Sequence, residues 1–259
     1  MGTTLVAVRY RLSDGSDESG VVMGADTRTS VSGYVSNRFA AKLTPILLGG
    51  DDETNVGSTC VVGRAGSAAD TQFLADALHL ELSSRRRLVQ KIPGTVTATA
   101  HLLRTMQRTG FEASILCAGW DHVLQKALIY QLDKGGTLME CDEISGMAVA
   151  GSGSTYIRGL LDSTSPPTSQ QEAMALVTKC LHLAMQRDGS SGGWIRLVTM
   201  DSKGQKKHLI KSTHDMNKLL NKSEEPQNNS KQEYMDLKGF APPKPVRSSS
   251  SPRSFSGGI

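Results

Sequence analysis

Two kinds of apolar pattern alternate along this chain, and their order restricts the fold more than any other feature. Strand-like runs fill Gly2–Val8 and Gly20–Ala25, and more follow between Lys42 and Val62. Two stretches of helical spacing come next, then strands at Ala113–Trp120 and Lys126–Leu132, then two more helical stretches and a closing strand pair. A sheet buries its apolar faces only against another layer, so strands, two helices, strands, two helices and strands in one chain predict an α+β layered domain.

The helical segments carry their own start and stop signals. Ser67 is placed to cap a helix whose residues Phe73, Leu74, Ala77, Leu78 and Leu82 share one face, and Arg85-Arg86-Arg87 close it. Pro93-Gly94 precede a second helix, Thr95–Arg108. Pro166-Pro167 separate a third, Ser154–Asp162, from a fourth, Gln170–Arg187, with Ala173, Leu176, Val177, Cys180, Leu181 and Ala184 as its stripe. Trp194–Met200 and Lys207–Ile210 read as a final hairpin, and Pro45 marks a bend or an edge strand.

The 259 residues, 38% of them hydrophobic, suffice for one sizeable core. After His214 the composition turns to Asn, Lys, Ser, Pro and Gly, which predicts a domain over 1–214 and an extension over 215–259, mostly disordered from Ser223. Residues 202–259 hold 11 Lys/Arg against 5 Asp/Glu, so the net charge of +4 belongs to the tail and implies no nucleic-acid partner. No apolar run is long enough to span a bilayer, so no membrane partner is expected. Cys60, Cys117, Cys141 and Cys180 show no C-x-x-C pairing and read as reduced thiols of an intracellular protein. The six histidines lack paired spacing, so no metal site is expected. The glycines of Gly151-Ser152-Gly153 lack the third Gly of a dinucleotide loop, so no cofactor is expected either.

Gly2-Thr3 carries the sharpest chemical possibility. A cut between them would give Thr3 a free amine beside its own hydroxyl, nucleophile and base in one residue. Asp26 ends the second strand, one strand away from Thr3. Gly66 falls at a strand-to-helix turn, where a free N–H could serve an oxyanion. Singly, each has an ordinary explanation: Asp26 and Asp188 as turn caps, Ser152 as a helix cap, Lys42 as a surface charge.

Together the motifs carry a resemblance. Gly-Thr-Thr at 2–4, Gly-Ala-Asp-Thr-Arg-Thr at 24–29, Asn-Arg at 37–38 with Lys-Leu-Thr-Pro-Ile at 42–46, Gly-Ser-Ala-Ala-Asp at 66–70, Ala-Gly-Trp-Asp at 118–121, Gly-Ser-Gly-Ser at 151–154 and Arg-Asp-Gly-Ser-Ser-Gly-Gly at 187–193 occur in this order. Over residues 2 to about 211 the chain resembles a proteasome core-particle beta subunit, most nearly the caspase-like, post-acidic type. The resemblance implies a four-layer sandwich, two antiparallel sheets flanked by helix pairs: the N-terminal nucleophile hydrolase fold. It implies Thr3 as nucleophile, Lys42 lowering the proton affinity of the hydroxyl and amine, and Asp26 holding that lysine. Ser152, Asp188 and Ser191 match the group around the amine and its water, and Gly66 the oxyanion donor. Arg64 matches the residue that selects acidic side chains, with Thr29, Ala40 and Ala68 lining the same pocket. The implied partners are other proteasome alpha and beta subunits in stacked heteromeric rings and unfolded polypeptide substrates, in the cytoplasm and nucleus.

Three features depart from the pattern: only Met1 stands before the Gly-Thr junction, the loops at Leu12–Ser19 and Gly49–Ser58 are long, and so is the tail. With Met1-Gly2 attached, Thr3 has no free amine and is expected to be inactive. An unprocessed, noncatalytic ring subunit is the alternative; the simpler bacterial threonine peptidase and a nucleotide-binding module fit less well.

Overall fold

The computed structural model describes residues 2–11, 19–47, 59–88, 95–107, 110–141, 146–211 and 215. The expected loops after Arg11 and at 49–58, and the extension beyond Asp215, lie outside the described residues.

Strands β1 (Leu5–Arg11) and β2 (Ser19–Asp26) pair antiparallel, as their patterns predict. The short β3 (Thr29–Val31) and β4 (Tyr34–Asn37) form a separate hairpin. Next come β5 (Leu43–Leu47) and β6 (Thr59–Gly66), then α1 (Ala68–Leu88) and α2 (Val96–Met106). The chain returns through β7 (Ala113–Asp121), β8 (Lys126–Leu132), β9 (Leu138–Glu140) and β10 (Met147–Ala150). A 3-10 turn (Ser152–Tyr156), α3 (Arg158–Asp162), α4 (Gln170–Arg187), β11 (Ile195–Asp201) and β12 (Gly204–Ile210) complete it.

Two five-stranded antiparallel sheets result, in the orders β10-β1-β2-β11-β12 and β5-β6-β7-β8-β9. Pro45 lies on β5, an edge strand, where its missing N–H costs no central ladder bond. Strand alternation then builds three cores. From β1, Leu5 and Ala7 turn into the space between the sheets, with Met23, Val61, Leu116 and Ile129. Val6, Val8 and Tyr10 turn the other way, against Val177, Cys180 and Leu181 of α4. Leu74 and Leu78 of α1 and Ala100 and Leu103 of α2 cover the outer face of the second sheet, on Ile115 and Tyr130. Side chains that alternate by two residues can serve two cores at once, which is why six consecutive residues of β1 are buried. The expected four-layer α+β sandwich is the observed one.

The helix forecasts need three corrections. Phe73 is 53% exposed and sits edge-on to Phe111, while Thr71 and Ala75 turn inward with Leu74 and Leu78. The second helix is shorter than Thr95–Arg108: Thr95 is its cap, accepting the Ala98 N–H, and it ends at Met106. The third breaks into a 3-10 turn and a short α-helix around Ile157. Ser67 caps α1 as expected, its Oγ accepting the Asp70 N–H at 3.4 Å. All six stripe residues of α4 are buried; so are Met174, Ala175 and Thr178, which widens the buried face.

Candidate active site

The register of the first sheet brings the distant motifs to one end of it. Leu5 stands opposite both Ala25 and Ala150, and Ile195 opposite Asp26. Thr3 therefore lies beside the end of β2, the turn after β10 and the turn before β11. Lys42 enters from the second sheet, immediately ahead of β5.

Asp26 is the anchor, 1% exposed. Its Oδ1 accepts from Lys42 Nζ at 2.7 Å and from the Thr4 N–H at 2.9 Å. Its Oδ2 accepts from the N–H groups of Gly192 at 2.9 Å and Arg28 at 3.2 Å. Charge-assisted bonds of this kind are about twice as strong as neutral ones and fix the carboxylate in place. Burial pushes the Lys42 ammonium below its ordinary proton affinity, against the pull of Asp26.

That ammonium reaches one further atom, the carbonyl oxygen of Gly2, at 3.2 Å. The Thr3 hydroxyl donates to the same oxygen at 2.6 Å. Thr3 and Lys42 thus converge on the bond whose cleavage the sequence suggests. Gly2 is tightly confined: a Cβ there would lie 2.0 Å from Cβ of Ser190.

Behind Thr3 runs a second chain of bonds. The Thr3 N–H donates to Ser152 Oγ at 3.2 Å, and Ser152 donates to Asp188 Oδ2 at 2.7 Å. Ser191 donates to the same oxygen at 2.6 Å, and the Ser190 N–H reaches Asp188 Oδ1 at 3.0 Å. Burial alone would raise the Asp188 pKa; the donors Ser191, Ser152 and Ser190, with the charge of Lys42, bring it below its ordinary value. Ser152 opens the 3-10 turn without capping it, so the ordinary explanation for that serine does not apply.

Gly66 ends β6 at φ +113°, where a Cβ would lie 2.0 Å from the Glu112 oxygen. The Ser67 N–H bonds Glu112 across to β7, and the Arg64 N–H bonds Lys42 on the β5 side. Antiparallel ladders alternate, so the Gly66 N–H points to the Lys42 side, beyond the end of the β5 ladder at Leu43.

Arg64 is half-buried and donates from Nη2 to Ala41 O at 2.7 Å. Burial lowers its proton affinity, opposed by the charge of Asp76, and an arginine so placed stays charged. Ala40 donates its N–H to Thr27 O at 2.9 Å, next to that contact. Thr29 is half-buried at the start of β3, and Ala68 is exposed at the start of α1.

Sequence reasoning passed over Thr4, Arg28 and Gly192 as site residues. Thr4 read as an ordinary strand residue; the signal that could have found it is its place one step past the nucleophile, where alternation turns it inward.

Two stacked antiparallel sheets under helix pairs, with a threonine leading into an inner strand beside a buried lysine, make the N-terminal nucleophile hydrolase architecture. The family model described as proteasome subunit matches residues 1–200. The proteasome subunit beta type-6 of Dictyostelium discoideum is 36% identical over 213 residues, 81% of this chain and 89% of that protein. The beta type-6 subunit of Arabidopsis thaliana is 32% identical over 250 residues, 95% of each. A probable beta type-1 subunit of Schizosaccharomyces pombe is 34% identical over 213 residues, 81% and 84% of the two chains. The chain belongs to the proteasome subunit family, among its beta subunits.

Proposed function

We propose that this chain is a catalytic beta subunit of the 20S proteasome, a threonine endopeptidase that frees its own Thr3 and cuts after acidic residues. The observation that carries this is the shared Gly2 carbonyl, held by Lys42 Nζ at 3.2 Å and Thr3 Oγ1 at 2.6 Å. In the first reaction Thr3 Oγ1 attacks the Gly2 carbonyl carbon, and its proton passes to the departing Thr3 nitrogen as the Gly2–Thr3 bond breaks. The acyl group now sits on Oγ1 as an ester. Water hydrolyses it, leaving a Gly2 carboxylate and a free Thr3 amine. The Lys42 ammonium supports the charge that develops on the Gly2 oxygen.

In turnover the same hydroxyl attacks a peptide carbonyl, its proton moving to the Thr3 amine through a water. The amine side of the substrate leaves with that proton, and water hydrolyses the ester. Lys42 keeps the amine neutral at neutral pH, because a nearby positive charge disfavours an ammonium. Gly66 N–H serves the substrate oxyanion, an effect typically worth about 3–4 kcal/mol per donor. Arg64 pairs with an acidic side chain ahead of the cut, in a pocket shared with Thr29, Ala40 and Ala68. The subunit works in stacked rings with other alpha and beta subunits, on unfolded polypeptides, in the cytoplasm and nucleus.

N-terminal sequencing of the subunit taken from assembled particles tests this. A chain beginning at Thr3, silenced by Thr3→Ala, is the expected result. A chain that still begins ahead of Thr3 in assembled particles marks a noncatalytic subunit.

A further inference from the structure

We propose that Thr4 is a positioning residue of the site: its buried hydroxyl donates to Ser191 and so holds Ser191 and Asp188 in place behind Ser152, which faces the Thr3 nitrogen as an acceptor. This rests on the peptidase assignment above and adds a residue to it.

Proton counting fixes the directions along this chain, with the Ser152 proton going to the carboxylate at 2.7 Å rather than to the Thr3 carbonyl oxygen at 3.4 Å. An ionised carboxylate only accepts, so Ser191 at 2.6 Å and Ser152 at 2.7 Å both donate to Asp188 Oδ2. Each hydroxyl carries one proton. Ser191 Oγ, 2.8 Å from Thr4 Oγ1, has none left to give, so Thr4 is the donor of that pair. By the same count Ser152 accepts from the Thr3 N–H. The chain therefore runs from Thr4 through Ser191 to Asp188, and from Thr3 through Ser152 to the same oxygen.

Thr4 also touches the other half of the site. Its N–H donates to Asp26 Oδ1 at 2.9 Å, the oxygen that holds Lys42. One fully buried residue thus joins the Asp26–Lys42 pair to the Ser152–Asp188–Ser191 chain. Alternation points its side chain away from the Thr3 side chain, toward Ser191 and Gly153. It cannot meet substrate from there, so it acts through Asp188 and Ser152. Among the described residues the charge acting on Asp188 is that of Lys42, ahead of β5; Arg28 and Asp26, at the end of β2, bond the backbone of the same turn at Gly189 O and Gly192 N–H. Substituting Thr4 changes none of their identities.

The test compares assembled particles carrying Thr4→Val, Thr4→Ser and Thr3→Ala, using an acidic-residue peptide with a fluorogenic leaving group. Thr4→Val is expected to expose Thr3 normally but lower kcat about tenfold with KM little changed, and to move the acid limb of the kcat–pH profile to higher pH. Thr4→Ser is expected to restore both. Unaltered kcat and pH profile in processed Thr4→Val particles overturn the proposal, as does a Thr4→Ser variant as impaired as Thr4→Val. If the Val methyl against Ser191 prevents assembly, Thr4→Ala carries the same comparison. Undiminished cleavage in Thr3→Ala particles would instead remove the peptidase assignment itself.

Discussion

Lys42 Nζ lies 2.7 Å from Asp26 Oδ1, with the two side chains 7% and 0% exposed. Such a pair stabilises little over an apolar one, since both charges lose their water, but removing one partner strands the other. Lys42→Ala is therefore expected to lower stability by about 3–5 kcal/mol. It also takes the positive group from the Gly2 carbonyl, so the Gly2–Thr3 bond should remain intact. Chemical denaturation and intact mass check the two effects separately.

Gly2→Ala tests the confinement ahead of the nucleophile. The added methyl would lie 2.0 Å from Cβ of Ser190, so either the Gly2 carbonyl or the 188–192 turn must move. Self-cleavage is expected to slow at least about tenfold, since misplacing reacting atoms by about 1 Å costs that much or more. The fraction of chain beginning at Thr3 over time is the measurement.

Gly66→Ala puts a side chain at φ +113° and 2.0 Å from the Glu112 oxygen. A strained backbone position of this kind costs about 1–3 kcal/mol. The variant should melt earlier and, through the displaced N–H, lose kcat more than KM. An unchanged melting temperature would count against it.

Arg64→Met keeps length and loses charge. Cleavage should shift from Glu and Asp toward apolar residues, read from relative kcat/KM on paired peptides. An unchanged preference for acidic peptides in assembled particles would remove Arg64 from the pocket.

Asp188 supplies a pH dependence. Its folded pKa is depressed, so its stabilising contribution is complete above the ordinary value of 3.8 and disappears as pH falls through the lower folded value. Removing two donors with Ser152→Ala and Ser191→Ala lets burial prevail. The acid-unfolding midpoint, followed by circular dichroism, should move to higher pH.

The sequence by itself determined the layers and the cast of residues. Period-two and helical patterns are local, so β2, β7, β8 and α4 could be read with near-correct bounds, whereas β1 begins and ends three residues later than the run Gly2–Val8; the motif order pointed to the family. It overestimated the apolar face of α1: Phe73 has the right spacing but is half exposed, edge-on to Phe111. Only the tertiary structure decided what these residues touch. Thr3, Asp26, Lys42, Ser152 and Asp188 are far apart along the chain, and their meeting depends on strand register, which sets Leu5 against both Ala25 and Ala150. Thr4 shows the limit best: as a letter it is a strand threonine, and its bonds to Asp26 and Ser191 exist because two turns close over it from opposite ends of the chain.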